Sequence, residues 1–358
     1  MRIFSLLLFL IIQISAFGAS KLPELEFTSG HELTLINKLI DTPRRYARVD
    51  TVKYKGFNEF QGKELLQQSA GLALAFKTDS KYIYANIDFL KRNRDINAPD
   101  ISTSGVSLYI KSPDGVWRYA GSNTPRPADS DTFELVSNMK EGEKECLLYL
   151  PMFSIVDSIN IGVAPGSYVR PMENPFRNRI VFHGSSFTHG ASISHPAMSY
   201  VMQFERNTGL HTPVLGMGGN ALLQQACANV LADTEADAFV FDCFSNPNAK
   251  QVEERLEPFI ATIRSKHPET PMIFMQTIYR ENRNFDTEID RSERERIEMA
   301  EKKMKEVMEK DSNIYFIHPS AGEGTTCDGT HPSDLGYYFW EQSIREPILE
   351  ILAKYNLN

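Results

Sequence analysis

The sequence predicts an α/β protein in two parts: a three-layer αβα unit on a five-stranded parallel sheet, flavodoxin-like in arrangement, preceded by a jelly-roll-like β-sandwich. Three observations carry this. From about Lys21 to Met172 short apolar runs recur with turn residues between them and no helical periodicity. From Arg179 onward strand-sized and helix-sized segments alternate. Between the two, residues 164–178 hold Pro165, Gly166, Pro171 and Pro175 among polar residues, a composition that suits a linker. The expected division is therefore 1–19, 20–172 and 173–358.

Residues 1–19 read as a signal peptide. Arg2 supplies a positive charge, Ile3 to Ile14 form an apolar core too short for a bilayer, and Ala16-Phe17-Gly18 fits a small-residue cleavage site. No cysteine lies near that site, which argues against a lipoprotein. The expectation is a secreted or periplasmic protein without a membrane span once this segment is removed. A formal net charge of -8 argues against nucleic acid and anionic membrane surfaces as partners. Cys146, Cys227, Cys243 and Cys327 form no C-x-x-C pair, so zinc and thioredoxin-like chemistry have no support, and buried free thiols are the default reading.

In the first part, Gly71–Phe76 and Tyr82–Ile87 flank the turn residues Thr78-Asp79-Ser80. Val106–Ile110 and Val116–Tyr119 flank Ser112-Pro113-Asp114-Gly115, where proline presets one φ and glycine accepts a positive one. Thr132–Val136, Glu145–Tyr149 and Ser158–Val163 continue the rhythm. The aromatic residues of this region are read as core rather than as a sugar-stacking platform.

In the second part the strands Arg179–His183, Pro213–Met217, Ala238–Phe244, Pro271–Thr277 and Ile314–His318 alternate with helices. The helices are expected over 199–206, 221–231, 249–266, 291–310 and 333–355. Val252, Leu256, Phe259, Ile260 and Ile263 share one helical face, as do Ile297, Ala300, Met304, Val307 and Met308. Parallel sheets of this kind gather reactive groups at the carboxyl ends of their strands.

Four motifs fall at such ends. Ser186, in His183-Gly-Ser-Ser-Phe-Thr-His-Gly190, follows the first strand, and Gly219, in Gly216-Met-Gly-Gly-Asn220, follows the second. Asn246 follows the third in Phe244-Ser-Asn-Pro247, and Asp328 and His331 follow the fifth in Cys327-Asp-Gly-Thr-His-Pro332. Singly, each has a bland explanation: a turn or cap serine, a helix-entry turn, an Asx turn, a surface turn. Their convergence on one rim is the reason to read them together.

Blocks of this kind, in this order, resemble the SGNH (GDSL-like) hydrolases, esterases known by their Ser, Gly, Asn and His. The resemblance runs from about Arg179 to the end, with Asp328-Gly-Thr-His331-Pro332-x-Asp334-x-Gly336 its most specific element. Residues around Gly105-Val-Ser-Leu-Tyr109 are similar to the amino-terminal domain of one secreted bacterial branch. Ser185 stands where that family has aspartate, and Phe244 and Pro247 replace glycine and aspartate around Asn246.

The residue types suit acyl transfer. A serine hydroxyl needs a base, and His331 can take and return its proton at neutral pH. Asp328 is placed to hold the imidazole. The N–H groups of Ser186 and Gly219 and the amide of Asn246 would meet the oxyanion. Gln276, Tyr279 and Arg280, near the end of the fourth strand, and His189, near the nucleophile, are expected to line the substrate site. Asp242 is read as structural. His183, His189 and His195 lack metal-ligand register, so neither metal nor other cofactor is expected. The expected activity is removal of a small acyl group, acetyl foremost, from a carbohydrate. The rivals are a lipid esterase or thioesterase of the same family and a catalytically degenerate carbohydrate-binding protein.

Overall fold

The structure, a computed structural model, describes residues 22–126 and 131–357. The expected signal peptide lies outside the described residues. The amino-terminal strands are β1 (Glu26–Ser29), β2 (Thr34–Ile36), β3 (Ala73–Thr78), β4 (Ile83–Lys91), β5 (Val106–Lys111) and β6 (Trp117–Asn123). They continue with β7 (Thr132–Val136), β8 (Lys144–Tyr149), β9 (Ile155–Val163) and β10 (Val169–Pro171). One antiparallel sheet has the order β1-β9-β4-β7; the other runs β10-β3-β8-β5-β6, with β2 also paired to β3. Two helical turns, α1 (Glu59–Lys63) and α2 (Asp100–Ser104), interrupt the strands.

The burial pattern explains why β3 and β8 are apolar without alternation. Leu74 and Phe76 of β3 and Cys146 and Leu148 of β8 face the core between the two antiparallel sheets. Their neighbours Ala73, Ala75, Leu147 and Tyr149 turn the other way and join a core shared with Phe182, Tyr200 and Trp340. A strand covered on both faces has no reason to alternate apolar and polar residues.

The second half begins with β11 (Arg177–Gly184), followed by α3 (Ser186–His189) and α4 (Tyr200–Thr208). Strands β12 (Leu210–His211) and β13 (Val214–Gly216) precede α5 (Gln225–Ala232), β14 (Ala238–Asp242) and α6 (Ala249–Arg264). The chain ends with β15 (Met272–Met275), α7 (Thr287–Lys310), β16 (Ile314–Ile317) and α8 (Asp334–Ala353). All pairings in this sheet are parallel, in the order β12-β11-β14-β15-β16 with β13 also on β11. Period-2 burial sends Ile180, Phe182, Val240 and Ile273 to the α4–α8 side, and Val181, Phe239, Phe241 and Phe274 to the α5–α6–α7 side. Each such side chain, fully buried, contributes about 1.5–3 kcal/mol relative to exposure.

Several boundaries differ from the expectation, each for a local reason. Residues 218–224 form a turn rather than the start of a helix, with Gly219 at φ 66 and Leu223 at φ 53, and α5 begins only at Gln225. Helix α7 begins at Thr287 because the Asp286 carboxylate accepts from the N–H groups of Glu288 and Ile289. Met308, expected on the apolar stripe of α7, is exposed. The expected linker contains β10, which pairs with β3, and the first residues of β11. All four cysteines are free; three are buried and Cys327 is exposed.

Residues 37–70 precede most of the antiparallel strands, and although Tyr46 joins the sandwich core, much of the segment packs on the parallel unit. Leu39, Val49, Tyr54, Leu65 and Leu66 share a core with Val181, Leu215 and Phe241. Arg48 is wholly buried and donates to the carbonyls of Gln68 at 3.1 Å, Gly216 at 2.7 Å and Leu65. Burial alone lowers its guanidinium to about 9. This segment fixes the end of β13, where the turn holding Gly219 begins.

Candidate active site

The register places the site. Gly184, the last residue of β11, lies beside Gly216 of β13 and Asp242 of β14. A Cβ on Gly184 would fall 2.2 Å from Thr188 Oγ1 and 2.7 Å from the Asp242 carbonyl, so only glycine fits between these strand ends. The chain then turns sharply into α3, whose first residue is Ser186. Its N–H is one of the helix's free leading donors.

Ser186 Oγ lies 2.9 Å from His331 Nε2. His331 Nδ1 lies 2.8 Å from Asp328 Oδ2, and its backbone N–H donates to Asp328 Oδ1 at 2.7 Å. Thr330 N–H reaches the same Oδ1 at 2.9 Å. Partial burial pushes Asp328 upward, but the bonds from the His331 backbone and ring and from Thr330 outweigh it and leave the carboxyl below its ordinary range. Gly329, at φ 80, turns the backbone between the acid and the imidazole, and its carbonyl accepts from Asn282 N–H at 2.8 Å.

Gly218 and Gly219 follow β13, and Gly218 faces the serine: a Cβ on it would lie 3.8 Å from Ser186 Cβ. Gly219 is left-handed with open space around its Cα. Asn246 accepts from Ala221 N–H through Oδ1 at 3.2 Å, which leaves its amide nitrogen for other acceptors. Ser186, Gly218, Gly219, Asn246, Arg280 and His331 all line one cavity of about 770 Å³. Its other walls include Phe60, Glu64, Leu65, Lys91, Asn93, Arg94, Asp95, Asn97 and Phe153 from the amino-terminal half.

The expected substrate residues divide. Arg280 lines the cavity, but its guanidinium donates to the Ser245 carbonyl and, at 3.2 Å, to Glu293, and lies 5.4 Å from the Phe187 ring centroid. It holds the turn that carries Asn246; burial lowers it to about 10. Gln276 turns instead toward α7 and donates to Glu301 at 2.9 Å. Tyr279 is exposed and bonds Asn284. His189 is buried between the carbonyls of Met152, 2.8 Å from Nε2, and Gly216, 3.2 Å from Nδ1. These three are not among the cavity residues. Burial lowers His189 to about 3 and His183 to about 4, so both rings are neutral packing groups at ordinary pH.

Asp242 is wholly buried, and its carboxylate accepts from Ser185, Thr188 and Ser245. Burial holds its carboxyl above the usual range against those donors. Among the described residues no group of three or more His, Cys, Asp or Glu is arranged for a metal ion, and no helix is long and apolar enough to cross a membrane. Sequence reasoning missed Arg48 and Asn97. Each acts on an atom more than a hundred residues away, and the Lys91–Asp100 run around Asn97 reads only as a polar loop.

Residues 177–350 match the GDSL-like lipase/acylhydrolase family, and residues 25–169 match the N-terminus of SGNH-hydrolase-type esterases. No curated protein sequence matches the chain. Among solved structures, one described as a GDSL-like lipase from Bacteroides ovatus is 36% identical, covering 92% of this chain and 98% of its own, with a TM-score of 0.87. The salicylyl-acyltransferase SsfX3 of a tetracycline biosynthetic pathway shares the fold at 19% identity and TM-score 0.71, covering 91% of this chain and 97% of its own. A family two carbohydrate esterase from Cellvibrio japonicus does so at 12% and 0.61, covering 92% and 98%. Identity over nearly the full length of both partners, on the same two-part architecture, places this chain in the GDSL-like lipase/acylhydrolase family.

Proposed function

We propose that this protein is a secreted serine esterase that removes a small acyl group, acetyl foremost, from a carbohydrate. The observation that carries the reading is the pair of contacts at His331: 2.9 Å to Ser186 Oγ and 2.8 Å to Asp328. With Asp328 accepting from Nδ1–H, Nε2 is the free acceptor of the imidazole. It takes the Ser186 proton as Oγ bonds to the ester carbonyl carbon. The resulting oxyanion is met by the N–H groups of Ser186 and Gly219 and the Asn246 amide. Collapse breaks the bond to the sugar oxygen, which leaves with the proton from His331. Water then attacks the acyl-serine by the same route, yielding the carboxylic acid and free Ser186. No step requires a cofactor.

The cavity sets polar groups beside apolar ones. Glu64, Lys91, Asn93, Arg94, Asp95 and Asn97 line it together with the apolar side chains of Phe60, Leu65 and Phe153. Such a lining can hydrogen-bond sugar hydroxyls around a small apolar acyl group.

The test is turnover of p-nitrophenyl esters of rising chain length and release of acetate from acetylated glycans. Acetate is expected as the best acyl group. Ser186→Ala and His331→Ala are each expected to abolish turnover with unchanged thermal unfolding. Retained turnover in either variant refutes the mechanism. A preference for long acyl chains would move the substrate class to lipid esters.

A further inference from the structure

The catalytic carboxylate touches the amino-terminal half of the chain. Asp328 Oδ1 is fixed by two N–H groups of its own turn, those of Thr330 and His331. Oδ2, the oxygen facing the imidazole, accepts two bonds: from His331 Nδ1 at 2.8 Å and from Asn97 Nδ2 at 2.7 Å. Asn97 lies 231 residues earlier, in the loop between β4 and α2. Four N–H groups thus fill the four lone-pair sites of the carboxylate, and Asn97 supplies the one that comes from another element.

The loop is built to present this amide. At its base Asn93 N–H donates to Ser154 Oγ at 3.1 Å, and the Asn93 amide donates to the Phe153 carbonyl at 2.9 Å. Asp95 Oδ1 then accepts from Asn97 N–H at 2.9 Å, an Asx turn that aims the Asn97 side chain. Asp95 and Ala98 close the turn as an isolated bridge, and Pro99 follows as the N-cap position of α2. The Asp328 side chain keeps 28% of its surface exposed, so without Asn97 water would compete for Oδ2.

We propose that Asn97 is a positioning residue for the reaction: through Asp328 it sets the plane of the carboxylate and so the angle at which His331 faces Ser186. The proposal rests on the triad reading above. The turn's own N–H groups anchor only Oδ1; without Asn97 the sole bond to Oδ2 is that of the imidazole, so the carboxylate and the ring could shift together, and the amide ties Oδ2 to a second element. The β-rich half therefore completes the catalytic group as well as walling the cavity.

The test compares Asn97→Ala, Asn97→Asp, Asp328→Ala and the double variant Asn97→Ala/Asp328→Ala in the full chain, on p-nitrophenyl acetate. Asn97→Ala is expected to lower kcat about tenfold with KM within twofold of wild type. Asn97→Asp, the same size but a second carboxylate facing Asp328, is expected to lower kcat further than alanine does. In the Asp328→Ala background, Asn97→Ala is expected to change nothing, because its route is gone. Thermal unfolding of each variant checks that the loop still folds. An equal effect of Asn97→Ala with and without Asp328, or a loss carried by KM, overturns the positioning role. A kcat untouched by Asp328→Ala would bring down the triad reading itself. A kcat lowered by Asp328→Ala but not by Asn97→Ala would bring down only Asn97.

Discussion

The Ser185 hydroxyl donates to the buried Asp242 carboxylate at 2.7 Å, tying the residue before Ser186 to the end of the neighbouring strand. The same oxygen accepts from Phe187 N–H at 3.1 Å and so caps α3. An aspartate at 185 could cap the helix but could not donate to Asp242. The departure from the family pattern is therefore matched by its partner: the carboxylate arrives from β14, and the hydroxyl from β11's turn.

That pairing predicts a stability pattern. Ser185→Ala is expected to cost about 1–3 kcal/mol, because it leaves a buried carboxylate short of a donor. Ser185→Asp is expected to cost more, since two carboxylates would meet in a buried site. Ser185→Asp combined with Asp242→Ser exchanges the partners and should recover most of the loss. Urea unfolding of the four proteins measures this; a double variant no better than Ser185→Asp would show that the pair is not coupled.

Asn246 lines the cavity, and its carbonyl oxygen is held by Ala221 N–H. Asn246→Ala is expected to lower kcat by on the order of 10²–10³ with little change in KM, as for the loss of one oxyanion donor. A change confined to KM would assign Asn246 to ground-state binding instead.

Glu205 governs a pH dependence of stability. Burial raises its carboxyl to about 7 from an ordinary 4.5, against the pull of donors from Tyr149 and Thr212. The folded chain keeps a proton there that the unfolded chain releases between those pH values, so its contribution is intact below 4.5 and lost as pH rises through about 7. The loss should amount to about 3 kcal/mol, each pKa unit being worth about 1.4. Glu205→Gln, which can still bond Tyr149 and Thr212, should flatten that part of the curve. Unfolding free energies at acid and alkaline pH decide it: parallel curves for the two proteins would exonerate Glu205.

Much of the arrangement was legible in the chain because it follows from local periodicity. The five parallel strands and the buried face of α6 came from apolar spacing. Ser186, Gly219, Asn246 and His331 stand out in the sequence because each follows a strand at the same end of the sheet. Side-chain direction was not legible. Gln276 and Tyr279 lie at the right strand end, yet one turns onto α7 and the other into solvent. His189 is only three residues from Ser186, yet it is packed under Met152. Asn97 and Arg48 were invisible for a further reason: each contact joins segments that only the finished fold brings together, and no spacing rule spans that distance.

The grip of Arg48 on the carbonyls of Leu65, Gln68 and Gly216 bears on how such enzymes can be recombined. The hydrolase half is not a portable cassette that starts at the first parallel strand. A chimera that exchanged everything before residue 173 would strip a clamp from the loop beside Ser186 and uncover the apolar side chains that Leu39, Val49 and Leu65 shelter. Residues 37–70 are a splice that both halves share, Tyr46 and Arg45 on the β-rich side and Leu39, Arg48, Val49 and Leu65 on the other, so a junction has to keep them matched to each.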